Sequence, residues 1–362
     1  MMKSPENASI SLYLSGRKQK FIVITGLTIL LFCASIYALN AGSYHLSFDR
    51  ILTIVHQAVM NPDLLKDFPS EKTVVIDFRM PRVLLAIFTG ISLAIAGCVM
   101  QALLRNPLVS PFTLGLSSAA SFGAALAIVF GASLMPFIPK EFQNGVIIFS
   151  AFLLGWFSIL FIYAISQMKG SSSATLILAG VVIGYIFTAG VMILKYLTND
   201  EKLREITLWL MGGMWGANWG AIIIVAPISL LCFLYLESKA WDLNTLSAGD
   251  DVAKNLGVNV NRLRLTGLFV STLAASACLA FTGIIGFIGL MGPHIGRMLI
   301  GNDNRFLIPC SALLGALILL ISDTAARTIM DPVEIPVGVI MYVIGGIFFM
   351  FLILRGKHRM IT

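Results

Sequence analysis

The sequence predicts an all-α polytopic membrane protein of about ten transmembrane helices, and three observations lead there. Of its 362 residues, 57% are hydrophobic and 12% charged, with a mean hydropathy of +0.90. Soluble domains do not show that balance. A spanning helix takes about 20 mainly apolar residues, so ten of them would occupy roughly 200, close to the apolar share of the chain. The 32 glycines and 13 prolines suit closely packed and broken helices better than simple lipid-facing rods.

Apolar runs and their breakers place spans near 21–40, 82–104, 113–131, 145–166, 175–196, 219–236, 263–283, 287–300, 307–326 and 337–354. Short tails, 1–20 and 356–362, flank one membrane domain over 21–355. The first run follows Arg17, Lys18 and Lys20 and is longer than a signal-peptide core, so it reads as a retained span. The eighth run is short and interrupted by Gly and Pro, and Asn106-Pro107 and Pro111 precede the third. At membrane depth such breaks must face protein or a water-filled path. Spans 2–5 and 7–10 start on opposite faces, each with an early break, after Gln101 and after Gly286. That is the pattern of inverted-repeat halves.

Orientation follows from Lys and Arg. With the N-terminus inside, the inner segments collect 15 of the 25 basic residues and 6 of the 18 acidic ones, placing both termini in the cytoplasm. Among the outer exceptions three arginines stand out: Arg79 and Arg82 before the second span and Arg327 at the end of the ninth. Two readings stand for them. One is headgroup anchoring or pairing with Asp77, Asp323 and Asp331; the other is a docking site for an acidic partner. Asp323 and Arg327, four residues apart, also suit a pair on one helix face.

Cys33, Cys98, Cys232, Cys278 and Cys310 each sit alone in apolar stretches, and His45, His56, His294 and His358 are scattered. No metal site, bound cofactor or nucleic-acid partner is read from them. Trp209, Trp215 and Trp219 read as an aromatic belt at one interface and Trp241 at the other.

One polar stretch, 237–264, interrupts the apolar runs between spans 6 and 7. Ser247 reads as a helix cap with Asp250 as its capping-box partner, and Gly257 as the left-handed stop, giving one short helix over 247–257. On it Val252, Ala253 and Leu256 share an apolar face, with Asp250, Asp251, Lys254 and Asn255 elsewhere. The helix is either an ordinary solvated connection or an element that presses into a groove on a partner.

At FRMPRVLLAIFTGISLAIAGCVMQALLRNPLVSPFTLGLSSAASFG (78–123) and at GIIGFIGLMGPHIGRMLIGNDNRFLIPCSALLGALILLISDTAARTIMDPVEIPVGVI (283–340) the chain closely resembles the FecCD-type permeases. These are membrane subunits of ABC importers for iron-siderophore complexes, haem and vitamin B12. The motifs are Arg79-Met80-Pro81-Arg82, Gly97 to Gln101, Arg105-Asn106-Pro107-Leu108, Leu114-Gly115, Ser117, Gly286 to Leu290, Pro293-His294 and Glu334-Ile335-Pro336-Val337-Gly338. The resemblance spans about residues 20 to 355. It implies a homodimer or a pair of related permeases, two ATP-binding cassette ATPase subunits beneath, and an extracytoplasmic substrate-binding protein above. ATP and Mg would then sit on the partner ATPase, with no cofactor on this chain. The resemblance assigns ATPase coupling to Ser247, Ala248, Gly249, Asp250, Asp251, Val252, Ala253, Lys254, Leu256 and Gly257. It assigns binding-protein docking to Arg79, Arg82 and Arg327. The inner gate falls on Gly170, Ser171, Ser172, Ser173, Ala174 and Thr175, where a Ser-rich helix cap is the competing reading.

The chain contains no phosphate-binding loop of the form G-x-x-x-x-G-K-[ST], so it hydrolyses no ATP itself. The resemblance makes an iron-siderophore permease the leading expectation, with vitamin B12 or haem as alternative cargo. An ion-coupled secondary transporter is the distant alternative; it would need acidic residues within the spans, and Asp323 is the one candidate. An intramembrane enzyme would need paired catalytic groups that the sequence does not show.

Overall fold

The computed structural model describes residues 5–42, 44, 46–60, 69–134, 143–168 and 172–355. In chain order the helices are α1 (Pro5–Asn40), α2 (Phe48–Met60), α3 (Pro69–Lys72), a π-helical turn (Thr73–Arg79), α4 (Met80–Leu104), α5 (Leu116–Leu134), α6 (Gln143–Gln167), α7 (Ser173–Leu197) and α8 (Asp200–Met211). They continue as α9 (Trp219–Ser238), α10 (Ala240–Ser247), α11 (Asp250–Asn255), α12 (Val260–Thr282), α13 (Ile288–Ile300), α14 (Asn304–Thr328) and α15 (Val337–Arg355). No strand occurs among the described residues.

Ten of these helices, α1, α4 to α7, α9 and α12 to α15, coincide with the ten expected spans. Among the described residues, eight helical stretches are long and apolar enough to cross a membrane. The other two are α5, whose apolar stretch is Leu116–Gly131, and α13, with 13 residues. At 1.5 Å per residue α13 rises about 20 Å, short of a bilayer core, so its ends depend on protein neighbours. The first helix begins at Pro5, so the segment read as an N-terminal tail is helical from there and continuous with the first span.

The molecule is organised around α4, which packs on α9, α12, α13 and α14. Glycine makes two of these crossings close. A methyl group at Gly97 would overlap the Gly289 carbonyl of α13, and one at Gly90 or Gly315 would overlap the other residue's carbonyl on α4 or α14. Buried Gln101 adds a polar tie, donating to Gly289 O at 3.1 Å and accepting from Arg297 at 2.6 Å.

The two halves mirror one another. Helix α4 packs on α13 and α14 as α12 packs on α5 and α6, and α4 and α12 pack on each other. The breaks also correspond: Arg105 (φ 50) ends α4, while Gly283 (φ 66) and Phe287 (φ 66) lie between α12 and α13. Phe287 is a non-glycine residue in left-handed conformation, which its surroundings must hold. Its ring lies 5.9 Å from that of Tyr342 and 6.0 Å from that of Phe349, both on α15. The lone His294 packs edge-on against Phe348 and Phe349.

Candidate functional site

The described residues hold two polar constellations, at opposite ends of α4. At its start lies a vestibule of about 510 Å³, lined among others by Tyr44, Arg79, Arg82, Trp215, Arg327 and Glu334. The three arginines singled out in the sequence therefore meet in one place, although 245 positions separate Arg82 from Arg327.

Their surroundings differ. Arg79, 6% exposed, donates to the carbonyls of Leu39 (2.8 Å), Asn40 (3.3 Å) and Tyr44 (2.6 Å). Arg327, 7% exposed, donates to Ala38 O (3.1 Å) and Ala41 O (3.3 Å). Both guanidiniums thus cap the last carbonyls of α1, the negative end of its dipole. Arg82 instead grips carboxylates. Its Nε and Nη2 reach Asp323 at 3.0–3.2 Å, and Nη1 reaches Glu334 at 2.7 Å. Fully buried Asp323 also lies 3.4 Å from Arg327 Nε, an ion-pair contact without hydrogen-bond alignment. This is the helix-face pair read from the sequence, with Arg82 added. The one acidic residue that an ion-coupled transporter could have used is therefore committed to two guanidiniums.

At the far end of α4 the stretch between α9 and α12 departs from the single capped helix expected over 247–257. It forms two helices, α10 and α11, because Gly249 adopts φ 122 and breaks the chain between them. Ser247 is the last residue of α10, not a cap, and its Oγ donates to Asn244 O at 2.6 Å. Asp250 is not a capping-box partner either; its carboxylate accepts from Arg264 Nη2 at 2.9 Å. Gly257 does supply the left-handed stop, with φ 86.

The apolar face divides as well. Ala253 is fully buried in the core that contains Leu103, Leu246, Val260 and Leu263, while Val252 and Leu256 are 44% and 70% exposed. Ala253 anchors α11, and Val252 and Leu256, one turn apart, are the pair it presents. Lys254 pairs with Asp251 at 3.5 Å. On α10 Trp241 is 63% exposed under the Arg305 guanidinium, 4.0 Å from the ring centroid. Arg305 also grips Asp303, which accepts from Asn244 too; those bonds hold the Asp303 carboxyl down to about 2.

Of the gate candidates, Gly170 and Ser171 lie outside the described residues. Ser172 is the N-cap of α7: its Oγ accepts from Thr175 N at 3.1 Å and lies 2.8 Å from Thr175 Oγ1. Ser173 and Ala174 occupy the first turn, with Ala174 exposed. The helix-cap reading is thus the one the geometry displays at Ser172 and Thr175.

Sequence reasoning gave no role to Arg264 or Glu334. A buried arginine needs a partner, but Asp250 is 14 residues from Arg264, which no local periodicity marks.

A helical bundle with eight described stretches long and apolar enough to cross a membrane, and with ion pairs at both ends of α4, has the build of a polytopic membrane protein. Comparison with known proteins makes this definite. The model of the FecCD transport family matches residues 27–355, and the chain belongs to that family. The hemin transport system permease protein HmuU of Yersinia pestis is 37% identical over 348 residues, 96% of this chain and 99% of HmuU. The Fe(3+)-citrate import system permease protein YfmE of Bacillus subtilis is 35% identical over 342 residues, covering 93% and 96%. A solved ABC transporter assigned to the metal-chelate type, in an inward-facing conformation, superposes with a TM-score of 0.79 at 34% identity, covering 92% of this chain and 99% of that one. The protein is an ABC importer permease, a transporter subunit and not an enzyme. Its family implies ATPase and substrate-binding partners.

Proposed function

We propose that this chain is the permease through which a ferric-siderophore complex crosses the cytoplasmic membrane, powered by ATP hydrolysis on a partner subunit. The observation that carries this reading is the exposed Val252 and Leu256 pair on α11, at the end that the charge bias assigns to the cytoplasm. A short helix anchored by Ala253 and showing two apolar side chains suits the groove of another subunit. At the opposite end Arg82 is the arginine that an acidic binding protein would meet, with Arg79 and Arg327 adding positive charge from buried positions behind it. A second permease copy completes the path, and residues 171–175 form its inner gate. Ferric chelates are favoured as cargo because a named relative imports ferric citrate; cobalamin and haem are the alternatives. Lipid surrounds the exposed apolar faces of the spans.

The test is uptake into proteoliposomes holding this chain with its ATPase and binding protein. Radio-iron on several siderophores, haem, cobalamin and molybdate are offered with and without internal ATP. ATP-dependent accumulation of one ferric chelate supports the reading, and accumulation of another cargo replaces the substrate. In the same vesicles Val252→Asp or Leu256→Asp is expected to lower uptake per ATP by about tenfold. Normal coupling in both variants rejects α11 as the ATPase contact.

A further inference from the structure

Helix α11 has little to hold it. It has six residues, lies between Gly249 (φ 122) and Gly257 (φ 86), and packs on α10 and α12. Neither glycine has a neighbour within 4 Å of an added Cβ, and the ends of α11 are closed by local backbone bonds, Ala253 N to Gly249 O at 3.0 Å and Val258 N to Ala253 O at 2.9 Å. Beyond those backbone bonds, what ties it to the rest of the molecule is the buried Ala253 and the ion pair of Asp250 with Arg264.

Arg264 does more than neutralise Asp250. It sits on α12 with 6% of its surface exposed, and its guanidinium faces two ways. Nη2 donates to Asp250 Oδ1 at 2.9 Å, and Nε points at Leu103 O at 3.4 Å. Leu103 lies in the last turn of α4, among carbonyls that have no onward helical partner because Arg105 turns left-handed. Close by, a Cβ on Gly267 of α12 would come within 2.7 Å of Leu103 Cδ1, so α12 and the end of α4 are in tight contact. One side chain thus joins α11, α12 and the foot of α4. From there α4 runs unbroken to Arg82, whose ion pairs line the vestibule.

We infer that Arg264 is the positioning residue that passes displacement of α11 to α4, and so carries the state of the ATPase to the vestibule. A push on Val252 and Leu256 would otherwise turn α11 about its two glycines. With Arg264 in place the push reaches the helix that α9, α12, α13 and α14 pack around. This inference rests on the proposed contact between α11 and the ATPase.

The experiment uses the complete transporter in proteoliposomes and reads cargo moved per ATP hydrolysed, with complex assembly checked separately. Arg264→Ala is expected to assemble and to hydrolyse ATP within about twofold of the unmodified protein, while cargo per ATP falls about tenfold. Arg264→Lys, which restores the charge opposite Asp250, is expected to recover to within about threefold. Asp250→Asn, at a side chain 33% exposed and so tolerant of change, lowers the same ratio and decides the matter where Arg264→Ala fails to insert. A merely structural role lowers uptake and hydrolysis together and leaves their ratio unchanged; that result, or a normal ratio in Asp250→Asn, overturns the inference. Uncoupling by Val252→Asp or Leu256→Asp alongside a normal ratio in the Arg264 and Asp250 variants rejects the strut alone. Normal coupling in the Val252 and Leu256 variants rejects the α11 contact itself.

Discussion

Arg82 meets Asp323 in a two-pronged ion pair that ties the start of α4 to α14, with Nε and Nη2 both on the carboxylate and Nη1 left for Glu334. Asp323 is fully buried and also faces Arg327, so one carboxylate answers two guanidiniums. Removing one partner of a buried pair leaves the other desolvated and uncompensated, at a cost of about 3–5 kcal/mol. Asp323→Asn keeps the side-chain shape and removes the charge. Its melting temperature in detergent is expected to fall well below that of the unmodified protein, and an unchanged value would contradict the buried-pair account.

The helices were legible because each span is an apolar run bounded by charge, Gly or Pro, and lipid makes that run obligatory. Long-range partners were not legible. Arg79 and Arg327 read as headgroup anchors, partners of nearby aspartates or a docking site, and their backbone acceptors at the end of α1 were missed because no side-chain pattern advertises them. Ser247 and Asp250 carry the spacing of a capping box, yet Gly249 breaks the chain between them and Arg264 takes the carboxylate. By contrast, Ser172 and Thr175 follow the local capping rule, and the sequence reading of a helix cap holds there.

Close glycine contacts make a second prediction. A Cβ at Gly97 overlaps the Gly289 carbonyl on a neighbouring helix, where backbone cannot swing aside as a flexible side chain would. Overpacking of this kind costs about 1–3 kcal/mol or more. Gly97→Ala is expected to lower the yield of folded protein and its melting temperature. Gly346→Ala, at a position with nothing within 4 Å, serves as the control and is expected to match the unmodified protein.

Asp303 gives a pH dependence with a definite sign. Hydrogen bonds from Arg305 and Asn244 hold its carboxyl at about 2, below the ordinary aspartate value of about 3.9. A depressed carboxylate contributes stability that is complete above the unfolded value and is lost as pH falls through the folded one. The bonds that fasten α10 to α14 through Asn244 should therefore weaken between about pH 4 and about pH 2. Melting curves of Asp303→Asn are expected to lie below those of the unmodified protein at neutral pH and to converge with them across that window. Parallel curves throughout would remove Asp303 from the account.

The vestibule makes the last prediction, which depends on the proposed docking of an acidic binding protein. Arg79 and Arg327 are held by α1 carbonyls, whereas Arg82 offers Nη1 to Glu334, whose side chain is 40% exposed. An incoming carboxylate can take the place of Glu334 on Arg82 with little loss, because a half-exposed ion pair is worth only about 0–1 kcal/mol. Glu334 is thus an internal competitor for the partner. Glu334→Gln is expected to tighten binding of the binding protein by about threefold at low salt, with the gain shrinking as salt rises, and Arg82→Ala to weaken it by about tenfold. Equal affinity in the unmodified and Glu334→Gln transporters, measured in nanodiscs across a salt series, would mean that the partner does not meet Arg82 and that the Arg82 to Glu334 pair only braces the turn between α14 and α15.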